Sequence, residues 1–131
     1  MDDAPRARRL KAPRAVPNRP GISTRELIGP EDGVGELFVG EGLCTPGAGV
    51  PLHRHAVVEA FVVLEGVLSV RLSDRTIDVQ ADESLAVPPG TPHAFGNRGD
   101  VPVRYLFAAP WDHRTFYTAA TVYLEGQPPG E

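Results

Sequence analysis

Short runs of apolar and β-branched residues, separated by turn residues, limit how this chain can fold more than any other feature of its sequence. Glycine and proline number 14 each, and they interrupt the chain too often for long helices. Short strands at regular spacing with turns between them are typical of antiparallel sandwiches and barrels. We therefore predict an all-β fold whose strands fall within residues 22–28, 36–45, 57–64, 67–72, 76–80, 84–87 and 101–108.

The first 20 residues differ in composition from the rest of the chain. They contain four prolines, six basic residues and two acidic residues, with few apolar residues, which predicts a flexible tail. Such a tail can still order by adding to a sheet edge or to a partner subunit. Residues 21–131 are predicted to form a single domain. This domain is acidic and would repel phosphates, so we expect no nucleic-acid partner.

Residues 112–125 are compatible with two kinds of secondary structure. With Asp112 as the N-terminal cap, a short helix would place Phe116, Ala120, Tyr123 and Leu124 on one face. The same residues also alternate acceptably as a strand. We favour the helix.

The sequence offers no sign of export or of a membrane segment. One cysteine, Cys44, allows no intramolecular disulfide. No run approaches the roughly 18 apolar residues that cross a bilayer, and the N-terminus has no apolar stretch of signal-peptide length. We expect a cytoplasmic protein without a membrane partner.

Four ionisable residues have the types and spacing of metal ligands. His53 and His55 are one residue apart, so an extended segment directs both rings to the same face, and Glu59 keeps that parity. His93 lies on a separate segment after a proline-rich turn. Three imidazoles and one carboxylate that converge form a good site for a first-row divalent metal. Four protein ligands leave one or two positions open for a substrate or water.

These residues belong to two motifs that resemble those of the cupin family. The first motif has glycine, five residues, His-x-His, three residues, glutamate, six residues and glycine, and residues 47–66 match every fixed position. The second motif is matched by Pro88, Gly90, His93 and Asn97. Asp82 stands where the family has glycine, in a turn where aspartate tolerates a positive φ.

The resemblance implies a cupin jelly-roll β-barrel that holds one divalent metal inside on His53, His55, Glu59 and His93. Fe(II) is the favoured ion, and Mn, Ni, Zn and Cu are the alternatives, because the same ligands suit several ions. Cupins often pair through their outer strands, so the resemblance also implies a homodimer.

Six further residues are candidates for the wall of a substrate pocket. The aromatic candidates on the predicted strands are Phe61, Phe95, Tyr105 and Phe107. Arg71 and Arg104 are candidates for holding a substrate carboxylate with two hydrogen bonds, if they face inward. Their direction depends on the strand register.

The leading functional hypothesis is a metal-dependent enzyme that acts on a small organic molecule, with a dioxygenase-type oxidoreductase as the favoured reaction class. Glu59 is the candidate catalytic residue, because a carboxylate that leaves the metal can accept a substrate proton. The first alternative is a non-redox isomerase, cyclase or decarboxylase in which the metal acts as a Lewis acid. Small cupins that resemble this chain include isomerases and polyketide cyclases. The second alternative is a non-catalytic barrel that binds a small molecule.

Overall fold

Strands account for nearly all the regular structure of the chain. The computed structural model describes residues 4–33, 35–111, 115–116 and 120–129, and these residues include eleven strands and a 3-10 turn at Pro30–Asp32. The strands are β1 (Arg14–Ala15), β2 (Ile22–Ile28), β3 (Phe38–Cys44), β4 (Gly49–His55), β5 (Glu59–Glu65), β6 (Val67–Arg71), β7 (Thr76–Gln80), β8 (Ser84–Val87), β9 (His93–Gly96), β10 (Val103–Ala109) and β11 (Thr121–Tyr123).

The strands form two antiparallel sheets. The first sheet has six strands in the order β1-β2-β3-β10-β5-β8, and the second has five in the order β11-β4-β9-β6-β7. Strands that are distant in sequence pair within both sheets, as β3 does with β10 and β4 with β9. This architecture confirms the prediction of an all-β jelly-roll barrel.

The core lies between the two sheets and follows from the two-residue period of the strands. In β10, buried residues alternate with partly buried ones over all seven positions. Val103, Tyr105, Phe107 and Ala109 therefore face the interior. Cys44 is fully buried beside them, and burial raises the pKa of its thiol to about 11. A thiol in this environment stays protonated, and its side chain packs in the core like a small apolar group.

Five of the seven predicted runs contain a whole strand, and β5 and β10 each extend one residue beyond theirs, whereas β1, β4, β9 and β11 lie outside the runs. The turn at Asp82 also behaves as predicted, because its φ is 68°. Asn97 of the second motif fixes the loop after β9. Its side-chain amide donates to the carbonyl oxygens of Cys44 and Val101, at 3.0 and 2.7 Å.

The N-terminal segment is partly ordered, unlike the flexible tail predicted for residues 1–20. Arg14–Ala15 pair with β2 and extend the first sheet at its edge. Arg8 also forms an ion pair with Asp32 at 2.9 Å. This is the sheet-edge addition that the composition left open. It occurs because β2 would otherwise present unpaired backbone groups.

The helix favoured for residues 112–125 is corrected at its C-terminal end. Thr121–Tyr123 form β11 and pair with β4, so Tyr123 is on a strand. Thr115 and Phe116 are helical, while the proposed cap Asp112 lies outside the described residues. A β-branched pair, Thr121 and Val122, fits the edge of a sheet better than a helix. Within the described part of the chain, no helix is long and apolar enough to span a membrane.

Candidate metal centre and adjoining cavity

The four predicted metal ligands meet in the interior of the barrel. His53, His55, Glu59 and His93 are all buried, and one potential ligand atom from each lies within 4.8 Å of the others. His53 and His55 are on β4 and His93 begins β9, both in the second sheet, while Glu59 begins β5 in the first. The cluster therefore joins the two sheets.

Strand pairing explains why the ligands converge. His53 and His93 are register partners in the pairing of β4 with β9, and their rings lie 4.3 Å apart between centroids. The loop before β9 is fastened to β4 by Gly90, whose N–H donates to the His55 carbonyl at 2.7 Å. Gly90 has φ of 77°, a conformation that glycine adopts without strain.

Two histidines are oriented by backbone carbonyl oxygens. His53 Nδ1 donates to the Pro51 carbonyl at 2.7 Å, and His93 Nδ1 donates to the Thr91 carbonyl at 3.0 Å. A carbonyl oxygen only accepts, so Nδ1 of both rings carries the hydrogen. In the neutral rings the Nε2 lone pair is thus available to a metal.

His55 is oriented by a side chain from the C-terminal strand. The Thr121 hydroxyl donates its hydrogen to the Phe116 carbonyl at 2.6 Å. Its oxygen must therefore accept from His55 Nδ1, which lies 2.7 Å away. The same tautomer follows as for the other two rings, with the Nε2 lone pair free.

The charges of the cluster are compatible with a bound cation. Burial, and then the neighbouring His93 ring, lowers the pKa of His53 to about 4, so this ring is neutral at pH 7. Burial acts to raise the pKa of Glu59, but its contacts with His55 and His93 outweigh that effect and lower it to about 2. Glu59 is therefore an anion, and a carboxyl group with so low a pKa is a weak proton acceptor. The catalytic role of Glu59 stays a prediction.

One buried atom tests directly whether the residues fit a metal. Glu59 Oε1 lies 3.2 Å from Nε2 of both His55 and His93, yet His55 Nε2 has no hydrogen-bond partner. Buried polar atoms are rarely left unsatisfied without a reason. A divalent ion between these atoms would accept the Nε2 lone pairs and neutralise Glu59. The donor set and the unsatisfied atom thus fit a metal.

Replacing Thr121 by valine is expected to weaken metal binding by about 10- to 100-fold, because His55 would lose the acceptor that fixes its tautomer. Thr121→Ser keeps the hydroxyl and serves as the matched control, with affinity close to that of the original protein. Competition for Zn(II) against a chromophoric chelator measures both variants. Equal affinities for the valine and serine variants would contradict the role of Thr121.

The metal cluster opens into a cavity with a volume of about 470 Å³. This volume lies in the range of small-molecule sites, and such sites are mostly apolar with a few polar groups. His53, His55 and Glu59 line one part of it. Its apolar wall includes all four aromatic residues predicted from the sequence: Phe61, Phe95, Tyr105 and Phe107.

The aromatic wall is held together by contacts between its rings. Phe95 lies 5.2 Å from Phe61 and 5.6 Å from Tyr105 between ring centroids, in edge-to-face arrangements. Tyr105 in turn lies 6.0 Å from Phe107. Pairs at these distances attract beyond their buried area. Burial raises the pKa of the Tyr105 phenol well above its usual value, so it stays protonated.

The two predicted pocket arginines lie outside this cavity. Arg104 alternates with the inward Tyr105 and so faces outward, where it forms an ion pair with Glu41 at 3.0 Å. Arg71 follows the buried Val70 and forms an ion pair with Glu125 at 2.6 Å. Strand alternation is the physical reason for both corrections.

Sequence reasoning missed the part of the cavity wall that comes from the chain termini. Arg14 to Pro17 and Arg19 contribute from the N-terminal segment, and Tyr123, Pro128 and Pro129 contribute from the C-terminal segment. The composition of the first segment predicts a tail, and the pattern of residues 112–125 favours a helix that includes Tyr123. The motifs carry no signal for either segment.

A protein-family model and two Streptomyces proteins match this chain. The cupin domain family, Cupin_2, matches residues 43–109. The chain is 37% identical to "Tetracenomycin polyketide synthase protein TcmJ" of Streptomyces glaucescens over 71% of its own length and 64% of that protein. It is 35% identical to "Polyketide synthase CurC" of Streptomyces cyaneus, over 80% of this chain and 70% of that protein.

A solved structure agrees with these sequence relatives. The polyketide cyclase RemF from Streptomyces resistomycificus superimposes with a TM-score of 0.72 at 26% identity. The alignment covers 85% of this chain and 76% of RemF.

Proposed function

This chain belongs to the cupin family, and from that premise we propose that it is a metal-dependent enzyme that cyclises a polyketide-type substrate without a redox step. The observation that carries the proposal is that one cavity joins the metal cluster to the aromatic wall. Two relatives named as polyketide synthase proteins, and a structural neighbour named as a polyketide cyclase, support the substrate class.

The proposed reaction begins with binding of a flexible chain of ketone groups in the cavity. The four aromatic side chains provide a fixed apolar surface. The substrate folds against this surface and loses the conformational freedom that opposes ring closure. The buried walls exclude water from the reacting carbons. Within the cluster, the His53 ring stays neutral and the Glu59 carboxyl group stays ionised at neutral pH, because the pKa values of both are lowered.

The metal would be held by His53, His55, Glu59 and His93. When bound, a divalent ion supplies a Lewis acid that polarises a ketone and stabilises an enolate. The ligand set suits several ions, so Fe(II), favoured from the sequence, has no advantage over Zn, Mn or Ni in a reaction without electron transfer.

Oxygen dependence separates the cyclase from the oxygenase that the sequence favoured. We expect metal-loaded protein to convert a synthetic poly-β-keto thioester to an aromatic product at the same rate in air and under nitrogen, without oxygen uptake. Absorbance of the product and an oxygen electrode follow the two quantities. Oxygen uptake in proportion to product would overturn the cyclase and support the oxygenase.

Spontaneous ring closure of such substrates requires a matched control. The His93→Gln protein lacks one metal ligand and retains the aromatic wall, so it reports the background rate together with any effect of the cavity alone. A rate equal to that of the metal-loaded original protein would contradict a metal-dependent reaction and leave a binding barrel.

A further inference from the structure

A buried arginine lines the cavity beside the aromatic wall and the metal cluster. Arg19 is only 6% exposed and lines the cavity, although it belongs to the N-terminal segment. Backbone hydrogen bonds fix its position: its N–H donates to the Val16 carbonyl at 3.1 Å, and its carbonyl accepts from Ile22 N–H at 3.1 Å. The backbone of Arg19 is therefore held in a defined turn beside the cavity.

The charge of Arg19 has no counter-charge in the described part of the protein. Its guanidinium donates to the carbonyl oxygens of Asn18 and Gln127, and neither carries a negative charge. Glu59, the acidic residue of the cavity lining, belongs to the candidate metal cluster. A buried cation without an anion is unfavourable. The cavity therefore contains a positive charge that a ligand could neutralise.

The guanidinium also has donors to spare. It carries five N–H groups, and two of them serve the carbonyl oxygens of Asn18 and Gln127. The others are left for the Tyr123 phenol and for a ligand. The Arg19 guanidinium carbon lies 5.4 Å from the centre of the Tyr123 ring, and that ring lies 5.3 Å from the ring of His53. Arg19 and the metal cluster thus contact the same phenol ring.

We propose that Arg19 is an anion-binding residue, and that the substrate is an apolar, ring-forming molecule with one anionic group, such as a carboxylate. A guanidinium binds a carboxylate with two parallel hydrogen bonds, and the low polarity of the surroundings strengthens them. With the anionic group on Arg19, the apolar part of the molecule would lie along the aromatic wall toward the metal ligands. This proposal rests on the proposed function, because it takes the cavity to be the substrate site.

The test uses two probes of the same shape, 2-naphthoate and 2-naphthamide, titrated calorimetrically into chelator-treated protein. We expect naphthoate to bind about 10- to 100-fold more tightly than naphthamide, as a charge-assisted hydrogen bond predicts. Arg19→Gln should reduce this preference to about threefold or less. Equal affinities in the original protein, no binding of naphthoate, or an unchanged preference in Arg19→Gln would each overturn the proposal.

Two control variants locate the effect. Arg14 lines the same cavity but is exposed, so Arg14→Gln should change the preference by no more than about threefold. His93→Gln disturbs the metal cluster and should keep the preference. A preference that is lost in His93→Gln and kept in Arg19→Gln would assign anion binding to the histidine cluster and refute the role of Arg19.

Folding and turnover are controlled separately. Thermal melting monitors each variant, and if Arg19→Gln does not fold, Arg19→Lys decides the question. Lysine keeps the charge but cannot form the bidentate contact. We therefore expect the ratio of the affinities for naphthoate and naphthamide to fall by about tenfold in Arg19→Lys. An undiminished preference in that variant would contradict a bidentate contact. The probes bind without reacting, so a failed cyclase assay leaves this result interpretable.

Discussion

Replacing His93 by alanine is expected to lower the affinity of the protein for Zn(II) by about 100-fold or more. Loss of a group that only orients a metal ligand costs about 10- to 100-fold, and His93 is itself one of the four proposed ligands. It is also fully buried, so its ring leaves a gap that no neighbouring ligand fills. Metal content after purification without chelator, together with competition against a chelator, measures the loss.

The thermal stability of the variant provides a second measurement. Zinc at 100 times its dissociation constant should stabilise the original protein by about 2.7 kcal/mol, whereas a 100-fold weaker site gains only about 0.4 kcal/mol at the same concentration. The shift caused by zinc is compared within each protein, because the variant also removes a contact of the buried Glu59. His93→Gln restores an amide donor there and should show the same loss of zinc stabilisation. Equal shifts in all three proteins would refute the metal centre.

Local spacing and the resemblance to known motifs were together sufficient to predict the metal cluster. His53 and His55 are one residue apart, and strand parity places both rings on one face of β4. The same parity was expected to hold for Glu59, but Glu59 follows a bend and begins β5 in the other sheet, so its approach to the histidines comes from the packing of the two sheets. The convergence of Glu59 and His93 with the other two ligands therefore needed the resemblance to the cupin motifs, since His93 also pairs with a residue 40 positions away. The predicted strands rest on the same kind of local pattern.

The strands that were missed depend on partners rather than on their own sequence. β4 contains Pro51, which discourages a strand assignment. β9 has only four residues, and its pairing with both β4 and β6 holds it in place. Two or three residues suffice for β1 and β11 because each adds to the edge of an existing sheet. Local propensity carries little information about such segments.

The part of the cavity wall that the two chain termini form could not be predicted from the sequence for a similar reason. Arg19 hydrogen-bonds to Gln127 across a separation of 108 residues. The two arginines predicted for the pocket, Arg71 and Arg104, instead form ion pairs with Glu125 and Glu41 outside the cavity. Which arginine enters a cavity depends on register and on chain ends that meet in space. Neither leaves a periodic pattern in the sequence.

The aromatic wall depends on two glycines of β3, and adding a methyl group at either should destabilise the protein by about 1–3 kcal/mol. Gly40 and Gly42 pair across the strands with Phe107 and Tyr105 of β10. A Cβ atom on Gly40 would lie 2.3 Å from Phe107 Cζ, and one on Gly42 would lie 2.2 Å from Tyr105 Cζ. Such distances are far inside van der Waals contact, so each ring would have to move.

The sign of this effect makes Gly40→Ala and Gly42→Ala a strong test. Neither glycine has a positive φ, and in a strand alanine is ordinarily better than glycine by roughly 0.5–1 kcal/mol. Propensity alone therefore predicts stabilisation, while packing against the aromatic wall predicts a melting temperature lower by about 3–15 °C. Gly35→Ala is the matched control, because a Cβ atom there meets nothing within 4 Å. If Gly40→Ala and Gly42→Ala melt no lower than Gly35→Ala, the rings of Phe107 and Tyr105 are not held against β3, and the cavity has no fixed wall against which a substrate could fold.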